Sequence, residues 1–234
     1  MVKTELIKRS PLRILENSMH GGLGTGNLGA VASRKGVGKT ACLVHIATDK
    51  LFQGNHVIHV SFSQNTNHII SWYEDIFKEI ARKRNLENAM DVHDELIKNR
   101  VVMNFNQEGI SSDQIVKSLK AMISDGHFQA DTIIIDGLDF TKVNEEDIKK
   151  IKNFAQEINL EIWFSVSMPP ENQGLNENNI PNLIAPHSDH LSVIVYLKSD
   201  NGLIHLELVK DHDDIKVSDT HLKLDPKTLL IAEE

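Results

Sequence analysis

Cysteine is almost absent from this 234-residue chain. Cys42 stands alone, so no disulfide can form within the chain and no cysteine-rich zinc site can be built, as in proteins of a reducing compartment. Long apolar runs are missing too. The longest, such as VIVYL at 193–197, fall far short of the roughly 20 residues a membrane helix needs. The opening MVKTELIKRS carries charges but no apolar stretch of the kind a secretory signal requires. Positive charge is in short supply: 25 Lys and Arg against 33 Asp and Glu leave a formal charge of −8, which argues against a general binder of nucleic-acid phosphates. A local basic groove is still compatible with it. No internal repeat or low-complexity linker interrupts the sequence. We therefore expect a soluble cytoplasmic protein, one domain over 1–234, with residues 1–18 as an N-terminal arm suited to packing on a neighbour.

What is present is ordinary globular material, 40% hydrophobic and 25% charged, enough to bury a sizeable core. Short apolar runs alternate with longer helical ones, the pattern of a mainly parallel sheet flanked by helices. Strands are expected at 28–33, 56–62, 100–105, 131–136, 161–167, 191–197 and 203–209. Helices are expected at 39–51, 66–83, 112–124 and 145–158. Ser111 or Ser112 is the expected N-cap of the third helix, where Ile115, Val116, Leu119, Met122 and Ile123 recur at helical spacing. Residues 198–202, ending in Asn201-Gly202, join the last two strands as a hairpin. The fold class is thus α/β, with C-terminal antiparallel strands.

The chemistry concentrates at 28–40, where the apolar strand LGAVAS runs into RKGVGKT and then a helix. That context is what a phosphate-binding P-loop requires: backbone N–H groups wrap the phosphates, and the helix dipole points at them. Ser33, Arg34, Lys35, Gly36, Val37, Gly38, Lys39, Thr40 and Ala41 are the expected nucleotide-binding residues. Lys39 would reach the β and γ oxygens, and Thr40 would ligate Mg2+. Gly36 and Gly38 allow close backbone approach, whereas Ser33 stands where the motif usually has its first glycine. A second element agrees. The strand TIIID ends in Asp136, a carboxylate suited to the metal's shell, with Asp139 a weaker alternative.

These residues resemble the RecA-like P-loop ATPase superfamily, in particular its KaiC, RadA and DnaB-helicase branch. The likeness spans about residue 11 to the end. HGGLGTGNLGAV at 20–31 is similar to that branch's lead-in, HVSFSQ at 59–64 to its second strand, and Ser167 to its polar sensor. A ParA-like loop shares part of the string but places a lysine where Arg34 stands. No guanine-reading N-K-x-D string occurs, which leaves adenine as the default base. The resemblance implies a RecA-like fold, ATP or ADP with Mg2+ as cofactors, and a homo-oligomer.

The sequence also departs from that branch. Its water-activating glutamate is replaced by Ser63, with Gln64 beside it. Gln64 or Glu108 are the candidates to orient a water, Gln64 and Asn65 otherwise serving as caps of the next helix. The K-x-R element, through which relatives reach a neighbour's nucleotide, reads Lys210-Asp211-His212, so Lys210 is the remaining candidate finger. The favoured reading is a nucleotide-dependent regulatory or sensing protein with weak or absent hydrolysis and a protein partner. An active oligomeric ATPase is the alternative, and a DNA-acting motor the third reading. The loop at 168–187 holds no Lys or Arg, so direct nucleic-acid binding is not expected; its Asn, Pro and Gly suit a flexible recognition or lid loop. Lys78, Arg82, Lys83 and Arg84 are expected to form a solvated helix face. His187 and His190, in an H-x-D-H run, have the spacing of two metal ligands but no evident third.

Overall fold

A computed structural model describes every residue except 1, 63–65, 87–88, 107–109, 173, 216–217, 229 and 234, and omits the side chains of Val2, Lys3, Glu5, Thr66 and Asn172. The described strands form one sheet: β1 (Leu28–Arg34), β2 (Val57–Ser61), β3 (Arg100–Asn104), β4 (Thr132–Asp136), β5 (Glu161–Met168), β6 (Val193–Asp200), β7 (Leu203–Asp211), β8 (Ser218–Leu224) and β9 (Ile231–Glu233). Their order is β3-β2-β4-β5-β1-β6-β7-β8-β9. The first six positions are parallel, and β7, β8 and β9 follow as antiparallel neighbours.

The sheet is buried on both faces because successive side chains on a strand point oppositely. Ile134 and Trp163 face one core; Ile133, Ile135, Ile162 and Phe164 face the other. The first core is covered by α1 (Val2–Lys8), α2 (Leu12–Ser18), α3 (Lys39–Phe52), α4 (Thr66–Arg84) and α5 (Ala89–Lys98). The second is covered by α6 (Ser112–Ser124) and α7 (Glu145–Ile158). The ends of α6 and α7 fall at the expected residues because each starts on a capping box, Ser111 with Gln114 and Asn144 with Asp147. The expected hairpin is tighter than its five-residue connection. β6 runs to Asp200 and only Asn201 and Gly202 turn, at φ of 47° and 81°.

Three segments differ from expectation. Residues 2–18 carry two short helices, and Leu6, Leu12 and Leu15 are buried in this chain's own core. The stretch 89–98 is helical although no helix was expected there. The long connection after β5 is anchored and not a free loop: Ile180, Leu183 and Ile184 are buried, Asn176 Oδ1 accepts the Ile180 N–H at 2.9 Å, and the segment contains two short 3-10 turns, Pro170–Asn172 and Ala185–His187.

Gly29 illustrates how tightly the sheet is covered. It pairs with Trp163 across β1 and β5, and a Cβ built on it would lie 2.6 Å from the indole. Trp163 is 1% exposed and hemmed in, so it cannot swing aside. Gly29→Ala is expected to cost about 1–3 kcal/mol, which calorimetry would read as a fall of several degrees in Tm. An unchanged Tm would contradict the packing described.

Candidate nucleotide site

β1 delivers the chain to the edge of the sheet, where the loop from Lys35 to Gly38 turns it into α3. The turn needs left-handed backbone at two positions, Gly36 (φ 83°) and Gly38 (φ 113°), and both are glycine. Ser33 is not among the positive-φ residues, so serine fits there without strain. It is buried, and its hydroxyl donates to the Arg34 carbonyl at 3.0 Å. The apparent gap in the motif is therefore structurally neutral. Gly38 has a second constraint: a Cβ on it would fall 2.4 Å from Leu224 Cδ2, so β8 packs directly on the loop.

Lys39 opens α3 and is 6% exposed. Its ammonium donates to the Arg34 carbonyl at 2.9 Å, to the Ser33 carbonyl at 3.2 Å and to Ser33 Oγ at 3.3 Å. Those acceptors are neutral. Burial pulls its pKa down to about 8, and the nearby Asp136 carboxylate only partly opposes this. Thr40 Oγ1 donates to Asp136 Oδ2 at 3.0 Å, joining the loop's hydroxyl to the end of β4. Because β5 lies between β1 and β4 in the sheet, its side chains Ser165 and Ser167 come between the two elements. Ser165 Oγ accepts the Gly137 N–H at 2.8 Å and so fixes the backbone just after Asp136.

These groups open on a cleft of about 580 Å³. Its polar wall holds Lys35 through Ala41, Ser61, Asp136, Ser165 and Ser167. The apolar wall consists of Val37, Trp72, Ile204, Leu224 and Pro226. The expected residues thus converge, with Ser33 and Arg34 immediately behind the wall as acceptors for Lys39. Ser165 and the apolar wall were not foreseen, because they come from α4, β5, β7, β8 and the turn after β8.

The expected catalytic residues fare differently. Gln64 and Glu108, like Ser63 and Asn65, lie outside the described residues. Lys210 is remote from this chain's own cleft. Ile204 lines the cleft near the start of β7, and Lys210 lies six residues further along, roughly 20 Å at strand spacing. It is 8% exposed and donates to the Ser188 carbonyl at 2.5 Å. Asp211 beside it accepts from both His20 and His212, which ties the glycine-rich lead-in to the end of β7. Asp139 caps its own loop through Thr141. Among the described residues no group of three or more His, Cys, Asp or Glu gathers, and His187 and His190 have no third ligand beside them.

No known family profile matches the sequence, and no curated protein matches it either. Solved structures do match. The ATPase domain of a DnaB-like helicase aligns over 94% of this chain and 88% of its own, with a TM-score of 0.68 and 15% identity. At that identity the likeness establishes the fold, and the fold is RecA-like, with a P-loop at the end of β1.

Proposed function

We propose that this chain binds ATP or ADP with Mg2+ in the cleft beside the P-loop, as a nucleotide-dependent regulatory or sensing protein with weak or absent hydrolysis. The observation that carries the reading is the juxtaposition at the head of α3. A buried lysine bound only to neutral acceptors is ready for an anion, next to a hydroxyl and a carboxylate 3.0 Å apart. Thr40 and Asp136 offer the hard oxygens Mg2+ prefers. That ion takes one or two protein ligands and completes its shell with phosphate oxygens and water, so the lack of a protein-only cage among the described residues agrees with it. The metal would neutralise phosphate charge; the backbone of 35–39 and the Lys39 ammonium would orient the phosphates.

Trp72, Ile204, Leu224 and Pro226 supply an apolar wall suited to one face of a purine. Weak turnover is supported by the wall's chemistry: Asp136 is its sole carboxylate among the described residues, and it is already bonded to Thr40. A base must stand within reach of the attacking water, and a missing one costs on the order of 10² to 10⁴ in rate. Membership of the KaiC, RadA and DnaB-like branch, assembly as a homo-oligomer and action through a protein partner belong to the same reading. Direct binding to nucleic acid does not. The cations of α4 support that exclusion, since Arg82 pairs with Glu79 and Arg84 with the Arg9 carbonyl, leaving no continuous basic track among the described residues.

The test is a single-turnover experiment with excess protein, labelled ATP and Mg2+, reading bound and cleaved nucleotide together. Trp72 fluorescence gives an independent binding signal, because the other tryptophan, Trp163, is buried in the core. Binding with quenching and no cleavage over minutes is the expected result. Prompt cleavage would favour the active ATPase; absence of binding would overturn the nucleotide site itself.

A further inference from the structure

A second cavity, of about 350 Å³, lies at the other end of α3, enclosed by the turn between α1 and α2, the last turn of α4 and the strand β9. His45 and Phe52 from α3, Ile80 from α4 and Ile231 from β9 form much of its inner surface. The size falls within the range of small-molecule pockets. It is separate from the nucleotide cleft, with which it shares no lining residue.

His45 makes the cavity chemically specific. It is 4% exposed, and its Nδ1 accepts the backbone N–H of Ile231 at 2.9 Å. A nitrogen that accepts carries no proton, and burial keeps the ring neutral, its pKa pulled down to about 3. The ring proton therefore sits on Nε2. That N–H has no acceptor among the described residues, an arrangement that costs free energy unless something else accepts it. Positive charge surrounds the opening. Lys83 is close enough for its charge to disfavour protonation of His45, and Arg9 and Arg84 share the rim, with the Arg84 guanidinium donating to the Arg9 carbonyl. Two acids line the cavity. Asp49 is neutralised by its ion pair with Arg13, and Glu233 is outnumbered by the three cations.

We propose that this cavity is a binding site for a small amphipathic anion, a carboxylate carried on an apolar chain or ring. The head group accepts from His45 Nε2 and faces Lys83, while the apolar body rests on Phe52, Ile80 and Ile231. The site takes one small molecule and needs no nucleotide.

The probe is decanoate, titrated calorimetrically into the full chain below its micelle concentration, with decanol and decylamine as matched neutral and cationic controls. Saturable one-to-one decanoate binding is expected, at least tenfold tighter than either control. Lys83→Glu, at an exposed position, and Ala232→Trp, which fills the cavity from β9, should each weaken it at least tenfold while Tm is retained. His45→Phe should do the same, and the two surface variants keep the test decisive if that core change harms folding. Absent saturable binding, equal affinity for decanol, or binding unaltered by both Lys83→Glu and Ala232→Trp would each overturn the site.

Discussion

Lys39→Ala is expected to lower nucleotide affinity at least a hundredfold and, at neutral pH, to make the nucleotide-free protein more stable. Both effects have one cause. The ammonium is buried among neutral acceptors, so in the free protein its charge is under-compensated, which is why its pKa falls to about 8. A phosphate supplies the missing counter-charge through charge-assisted hydrogen bonds, worth about 3 kcal/mol or a hundredfold in affinity. The pH dependence follows. Below pH 8 Lys39 is charged in folded and unfolded chains alike, and the cost of burying that charge is borne in full. Between about 8 and 10.5 the unfolded chain holds more protons than the folded one, so wild-type stability rises with pH through this window. The stability advantage of Lys39→Ala should therefore shrink over the same range. Bound phosphate raises the pKa again, so binding takes up a proton, and wild-type affinity should weaken as pH climbs above 8 while that of the variant does not. Chemical denaturation and fluorescence titrations from about pH 7.5 to 10, spanning the shifted and ordinary lysine pKa values, read both slopes. A wild-type affinity flat across that range would contradict the role given to Lys39.

The parts of this site that were legible in the sequence are those whose geometry is local. A strand, a short loop with glycine where φ must be positive, and a helix form one contiguous string, so Lys39 and Thr40 could be placed from residue types alone. Capping boxes likewise fix the starts of α6 and α7 through residues that are close neighbours in the chain. The apolar wall could not be read this way, because Trp72, Ile204 and Leu224 meet only through the sheet's register. Lys210 shows the same limit: its motif gives the end of a strand but not which edge of the sheet that end occupies, and the antiparallel turn at Asn201-Gly202 carries it away from the cleft. Ser33 is the opposite case. Counted as a departure from the pattern, it occupies a position where backbone conformation makes no demand for glycine. The missed helix α5 did carry a signal, with Ala89, Val92 and Leu96 at helical spacing between an early Asp91 and a late Lys98.

Asp136→Asn and Thr40→Val are expected to separate the metal from the phosphate. Asparagine keeps an oxygen that can accept from the Thr40 hydroxyl but removes the negative charge from the end of β4. Without metal, the native carboxylate repels a triphosphate, so the Asn variant should bind ATP in a chelator as tightly as wild type or several-fold more tightly. With Mg2+, the carboxylate helps hold the cation's shell, and its loss should cost about one to two orders of magnitude in affinity. The two titration curves should therefore cross between chelator and Mg2+. Thr40→Val removes the hydroxyl while leaving the Asp136 charge, so it should lose the Mg2+ enhancement without any gain in chelator. Since both side chains serve one ion 3.0 Å apart, the double variant should fall no further than the worse single one, a non-additivity that distant sites do not show. Additive losses, or an Mg2+ enhancement preserved in both single variants, would mean that Thr40 and Asp136 brace each other structurally and that any metal binds elsewhere.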